Sequence, residues 1–137
     1  MPSAGGDSVQ ITRTGGHETR ESMDGLTLYF VALTALGLKS VPVGGGEEKV
    51  VLPDVRAGTW DITREGVVYL GDENQAGVRP IMLWNPATGR AKQVLEVRGQ
   101  INSNGRRVFA AAEDGSGYLW AQRELSEVDL YMIENIR

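Results

Sequence analysis

One histidine, His17, and no cysteine occur in the 137 residues. A Ser-His-Asp triad would have to use His17, and a site with several histidine ligands cannot be assembled within one chain. Thiolate nucleophiles and zinc thiolates are excluded outright. No Gly-x-Ser-x-Gly elbow accompanies the histidine. The simplest role for His17 is to open a strand and hydrogen-bond locally. An acid–base role would draw on His17, Glu18 and Arg20 together. Asp72-Glu73-Asn74-Gln75-Ala76-Gly77 carries oxygen at the first and third places of a calcium loop and glycine at the sixth. Ala76 and Leu83 then stand where further oxygen ligands belong, so an ordinary surface loop is expected. Gly44-Gly45-Gly46 lacks the lysine and spacing of a phosphate loop, and turn chemistry accounts for it. Of the three tryptophans, Trp84 and Trp120 stand in apolar strands and belong to a core, whereas Trp60, flanked by Arg56 and Asp61, could stack on a ligand. No metal site or cofactor is expected.

These residues need a scaffold, and composition limits its kind. The formal charge of -4 argues against a nucleic-acid partner, which requires basic residues gathered on one face. The longest apolar run, Leu26 to Leu38, holds 13 residues and is too short to span a bilayer. The N-terminus has Asp7 and paired glycines where a secretory signal has a basic region and an apolar core, so a soluble chain is expected, its compartment open. The 18 glycines exceed the roughly 7% background without a period of three, which implies many turns and many short strands.

A repeat organises those strands. Pro2, Gly5-Gly6, Asp7 and Ile11 recur at an offset of 40 as Pro42, Gly45-Gly46, Glu47 and Val51. Tyr69 follows Tyr29 at the same offset, and Asp114-Gly115 follows Asp24-Gly25 by 90. The alternation of Val9 and Ile11 predicts a strand over Asp7 to Thr12. The first unit runs from His17 to Leu52, with its hairpin turn at Asp24-Gly25 and a strand at Leu28 to Val31 buried on both faces. Helix competes over Leu26 to Leu38, but Gly37 and the aromatic cluster favour a strand ending near Leu33 and another from Leu38 to Val43. A strand from Glu47 to Leu52 completes it. The second unit, 57–97, predicts strands at Ala57 to Thr63, Val67 to Leu70, Pro80 to Asn85 and Arg90 to Val97. The third, 106–137, predicts Arg107 to Ala112, Tyr118 to Ala121 and Asp129 to Glu134, with no fourth strand.

Ser22-Met23-Asp24-Gly25-Leu26-Thr27-Leu28-Tyr29-Phe30 resembles the Ser-Pro-Asp-Gly turn and apolar strand of the WD-like repeats in TolB-type β-propellers, with Met in place of Pro. Ala112-Glu113-Asp114-Gly115 keeps the Asp-Gly, and Arg64-Glu65-Gly66 only the Gly. The run Glu127 to Arg137 is similar to the end of propeller regions in large bacterial regulators. The resemblance covers nearly the whole chain and speaks to fold. It implies an all-β protein of three four-stranded blades, the last short of its outer strand. Propellers carry about four to eight blades, so three do not close a ring. A homodimer closing a six-bladed ring, each chain lending its Asp7 to Thr12 strand to the other's last blade, follows; a piece of a larger propeller is the other reading. Under the propeller reading His17, Arg20, Arg56, Trp60 and Arg79 lie near one rim as candidate ligand-binding residues, with no catalytic residue assigned. Two functions remain open. One is a non-catalytic interaction or sensing module for a protein, peptide or small ligand, the protein partners being implied by the TolB-type resemblance. The other is a propeller hydrolase or lyase with channel-lining His, Glu and Arg.

Overall fold

The computed structural model describes residues 17–32, 36–98, 101, 107–124 and 127–134. Eleven strands form three antiparallel sheets among them. The first sheet orders β1 (His17–Glu21), β2 (Thr27–Val31), β3 (Leu38–Pro42) and β4 (Lys49–Leu52) in sequence. The second does the same with β5 (Trp60–Thr63), β6 (Gly66–Leu70), β7 (Val78–Asn85) and β8 (Arg90–Arg98). The third holds β9 (Phe109–Ala111), β10 (Gly117–Glu124) and β11 (Glu127–Glu134). Each is a meander, with strands that follow one another in sequence lying side by side.

Two turns separated by 90 residues are built alike. The Gly25 N–H donates to the Ser22 carbonyl and the Gly115 N–H to the Ala112 carbonyl, both at 2.9 Å. The Asp24 carboxylate accepts the Leu26 N–H at 3.0 Å, and the Asp114 carboxylate accepts the Ser116 N–H at 2.9 Å. Both glycines have φ of 74°, which a side chain would strain. In the second sheet Arg64-Glu65 makes a tighter turn, and Gly66 is forced there for a different reason. A Cβ on Gly66 would lie 2.1 Å from the Trp84 carbonyl oxygen, so the backbones of β6 and β7 approach only because none is present.

The middle sheet is covered on both faces. Trp60, Ile62, Val67 and Trp84 pack with Tyr29, Val31 and Leu38 of the first sheet. Val68, Leu70, Ile81 and Leu83 pack with Phe109, Tyr118 and Trp120 of the third. The change of face between Val67 and Val68, and between Leu83 and Trp84, is the strand period of two. Burying each such side chain stabilises by roughly 1.5–3 kcal/mol. Two ring contacts fix the sheets further: Tyr29 meets Trp84 edge-on at 6.3 Å, and Phe109 stacks with Tyr118 at 6.0 Å.

The aromatic stretch after Gly25 is strand, paired to neighbours on both sides, so the helical alternative does not hold. β2 ends at Val31, sooner than Leu33, and β4 begins at Lys49, since Gly45 and Gly46 at φ 90° and 147° extend the loop. β5 begins at Trp60, three residues after Ala57, because Gly58 at φ 86° and a Thr59-to-Arg56 turn bond at 3.3 Å interrupt the extended chain. The expected Asp7 to Thr12 strand lies outside the described residues. On the outward face of the first sheet Phe30 and Val41 are already 0% and 1% exposed. No helix of the described residues is long and apolar enough to cross a membrane.

Candidate functional site

The three sheets meet along their first strands, where polar contacts replace the apolar packing further out. Glu18 holds φ at 54°, within the stretch where the β1–β2 register shifts between His17 and Arg20. Its carboxylate accepts the Gly58 N–H at 2.9 Å, linking the first sheet to the second. The Gly58 carbonyl in turn accepts the Val108 and Phe109 N–H groups at 2.9 and 3.2 Å, linking the second to the third. At the turn end, the Arg64 N–H donates to the Glu113 carbonyl at 2.8 Å.

Between these two seams sits Asp61, 7% exposed. The alternation of β5 sends Trp60 and Ile62 toward the first sheet's core, while Asp61 reaches the third sheet. Its Oδ1 accepts the Ile62 N–H at 2.8 Å. Its Oδ2 accepts the Ala111 N–H at 2.9 Å and an Arg107 Nη2 bond at 2.7 Å. Arg20 Nε of β1 lies 3.8 Å from Oδ1. One carboxylate therefore gathers groups from all three sheets, and its burial is compensated by charge-assisted bonds. A cavity of about 430 Å³ opens beside it, lined by Arg20, Glu21, Met23, Asp61, Ala111 and Glu113.

A larger groove, about 720 Å³, runs under the turn end of the middle sheet. The Ser22 to Asp24 turn, the Thr63 to Gly66 turn and the Asn85 to Lys92 hairpin line it, with Tyr29, Ile62 and Val67 at its apolar side. Asp24 stands at its lip, and the Ser22 hydroxyl donating at 2.6 Å holds its carboxyl below the usual carboxylate range. Burial, with a smaller contribution from the Asp24 charge, pushes the Tyr29 hydroxyl up. Burial likewise raises Tyr69, with Asp54 adding to it.

The residues expected at one rim stand in different surroundings. Arg20 is at the inner cavity, 3.8 Å from Asp61. His17 opens β1, its backbone paired with Val31. Arg56 is exposed in the turn before β5, its carbonyl accepting the Thr59 hydroxyl at 2.8 Å. Trp60 is fully buried in the core between the first two sheets, so it offers no face to a ligand. Arg79 lies in β7, two strands from β5, with its Nη1 3.5 Å from the Gly71 carbonyl. Trp84 and Trp120 are core residues, at 9% and 5% exposure. Asn74 spends its side-chain oxygen on the Ala76 and Val78 N–H groups at 2.9 and 3.1 Å, making the Asp72 to Gly77 segment a self-bonded loop. Among the described residues no group of three or more His, Asp or Glu could hold a metal ion. The partnership of Asp61 with Arg107 was missed, and the one hint was a carboxylate set between Trp60 and Ile62 in an otherwise buried strand.

No protein-family model matches the sequence, and no curated protein matches it. Among solved structures, TolB from Acinetobacter baumannii superposes with a TM-score of 0.57 at 16% sequence identity, over 80% of this chain and 28% of that one. The chain thus has a TolB-like, propeller-like β fold and spans little more than a quarter of that neighbour's length.

Proposed function

We propose that the chain is a non-catalytic interaction module, one half of a six-bladed β-propeller closed by a second copy, which binds a protein, peptide or small ligand at its rim or channel. The observation that carries this reading is the convergence of β1, β5 and β9 on Asp61, which sets the sheets edge-inward as blades are set around an axis. The TolB likeness supports a propeller and, with it, an interaction role. The bonds on Asp61 favour binding over catalysis, since both oxygens already accept backbone N–H groups and Oδ2 also an arginine.

Support for a second copy comes from a sheet edge. Among the described residues β11, eight residues long, has one neighbour, β10, and an edge strand of that length is a surface on which a further strand can pair. Exposed apolar faces add little to the case, because Phe30 and Val41 are already buried. The absence of cysteine makes a clean test available. Chains carrying Ile11→Cys are mixed with chains carrying Leu130→Cys and treated with a short thiol cross-linker. Cross-linked pairs of one chain of each kind support strand exchange, and cross-links only within single kinds contradict it.

A further inference from the structure

We propose that the outer edge of β11 accepts the segment Asp7 to Thr12 as an antiparallel fourth strand in one register. Val9 stands opposite Met132, Gln10 opposite Tyr131 and Thr12 opposite Leu130, with Ile11 bulged out between Gln10 and Thr12. This rests on the reading that an added strand completes the last sheet, and it holds whether the strand comes from the same chain or from a second copy. β3 and β7, third in their sheets, are each flanked by a second strand and a fourth. β11 is third in its sheet and has, among the described residues, β10 alone beside it. An outer strand is the neighbour that the repeat requires there.

Two offsets fix the register. The matching turns at Asp24-Gly25 and Asp114-Gly115 put Tyr29 and Leu119 in equivalent positions, 90 apart. Tyr29 pairs with Ser40 and Leu119 with Met132, so Ser40, Lys39 and Leu38 of β3 map onto Met132, Tyr131 and Leu130 of β11. On β3, β4 sets Lys49 opposite Ser40, Val50 opposite Lys39 and Leu52 opposite Leu38. The offset of 40 that carries Pro42, Gly45-Gly46 and Glu47 back to Pro2, Gly5-Gly6 and Asp7 carries Lys49, Val50 and Leu52 to Val9, Gln10 and Thr12. The residue that β4 skips is Val51, partly buried against the core between the first two sheets. β8 skips Val94 in the same way, against the core between the second and third. Ile11 takes that place in the segment, so an apolar residue at the bulge is what the edge selects.

The chain has no cysteine, so disulfide formation reads the register directly. Variants of the whole chain carry the facing pairs Val9→Cys with Met132→Cys, or Gln10→Cys with Tyr131→Cys. They are compared under mild oxidation with the crossed pairs Val9→Cys with Tyr131→Cys and Gln10→Cys with Met132→Cys. Facing positions bring their Cβ atoms to about 4.5–5.5 Å, whereas crossed ones point to opposite faces of the sheet. The facing pairs are expected to close about tenfold or more faster than the crossed pairs, which hold the same four substitutions and so control for folding. Ile11→Asp added to the Val9 and Met132 pair is expected to slow closure about tenfold or more, and Ser8→Asp to leave it unchanged. Faster closure of the crossed pairs, no closure of any pair, or indifference to Ile11→Asp overturns the proposal. Whether the disulfide joins one chain or two, read from its mass under denaturing conditions, decides ring closure and leaves the register untouched.

Discussion

Arg107 Nη2 lies 2.7 Å from Asp61 Oδ2, an ion pair that ties the lead-in of the third sheet to the first strand of the second. The same oxygen holds the Ala111 N–H at 2.9 Å, so removing the carboxylate strands a cation and a backbone donor together. Asp61→Ala is expected to cost about 2–4 kcal/mol in urea unfolding, and Arg107→Ala less, as Arg107 is partly solvated. The double variant should cost less than the sum of the two. Strict additivity would show that the two side chains act independently.

A second prediction concerns close approach of backbones. Gly66→Ala puts a methyl where the Trp84 carbonyl oxygen is, at a φ of 146°, and is expected to destabilise by more than about 2 kcal/mol. Gly44→Ala meets nothing within 4 Å and serves as the control, with a change within about 0.5 kcal/mol. Matching midpoints in thermal unfolding would contradict the β6–β7 geometry.

Much of this architecture was legible in the sequence, for reasons that can be stated. Asp24-Gly25 and Asp114-Gly115 encode their turns locally, through one side-chain oxygen and one positive φ, and both turns form as read. Leu28 to Val31 and Val67 to Leu70 are apolar at consecutive positions because a sheet packed on both sides has no polar face. Tyr29 and Tyr69, an offset of 40 apart, occupy matching places, paired with Arg20 and Trp60. The site was harder to read. Whether Trp60 or Asp61 faces the core depends on a one-residue choice of register, which the short segment Trp60–Thr63 does not settle alone. The contact between Asp61 and Arg107 joins residues in different sheets, and no local pattern marks it.

Trp60 supplies a third prediction. Its ring is fully buried, while its indole N–H finds no hydrogen-bond partner among the described residues. Trp60→Ala is expected to cost about 3–5 kcal/mol, and Trp60→Phe distinctly less, because no bond is lost with the indole nitrogen. A Phe variant as unstable as the Ala variant would mean that the indole makes an essential polar contact.

The titrating groups give a fourth. Tyr29 and Tyr69 are raised from the ordinary tyrosine value, chiefly by burial, so the fold favours their neutral forms. Their contribution is intact below the unfolded tyrosine pKa of about 10 and is lost as pH rises through the folded values. Asp24 is lowered by its Ser22 bond, so its contribution is present above the unfolded carboxylate value and lost as pH falls through the folded one. Ultraviolet titration should show Tyr29 and Tyr69 ionising later than free tyrosine, with Tyr29→Phe and Tyr69→Phe each removing one late-ionising group. No loss of late-ionising signal in either variant would contradict the packing around both rings.

The mass of the unmodified chain in solution, by light scattering after size exclusion, tests the ring most directly. Closure by a second copy requires twice the 14.9 kDa of a single chain, at every concentration above the dissociation constant. A particle that stays at 14.9 kDa even at high concentration would contradict a propeller completed by two identical halves.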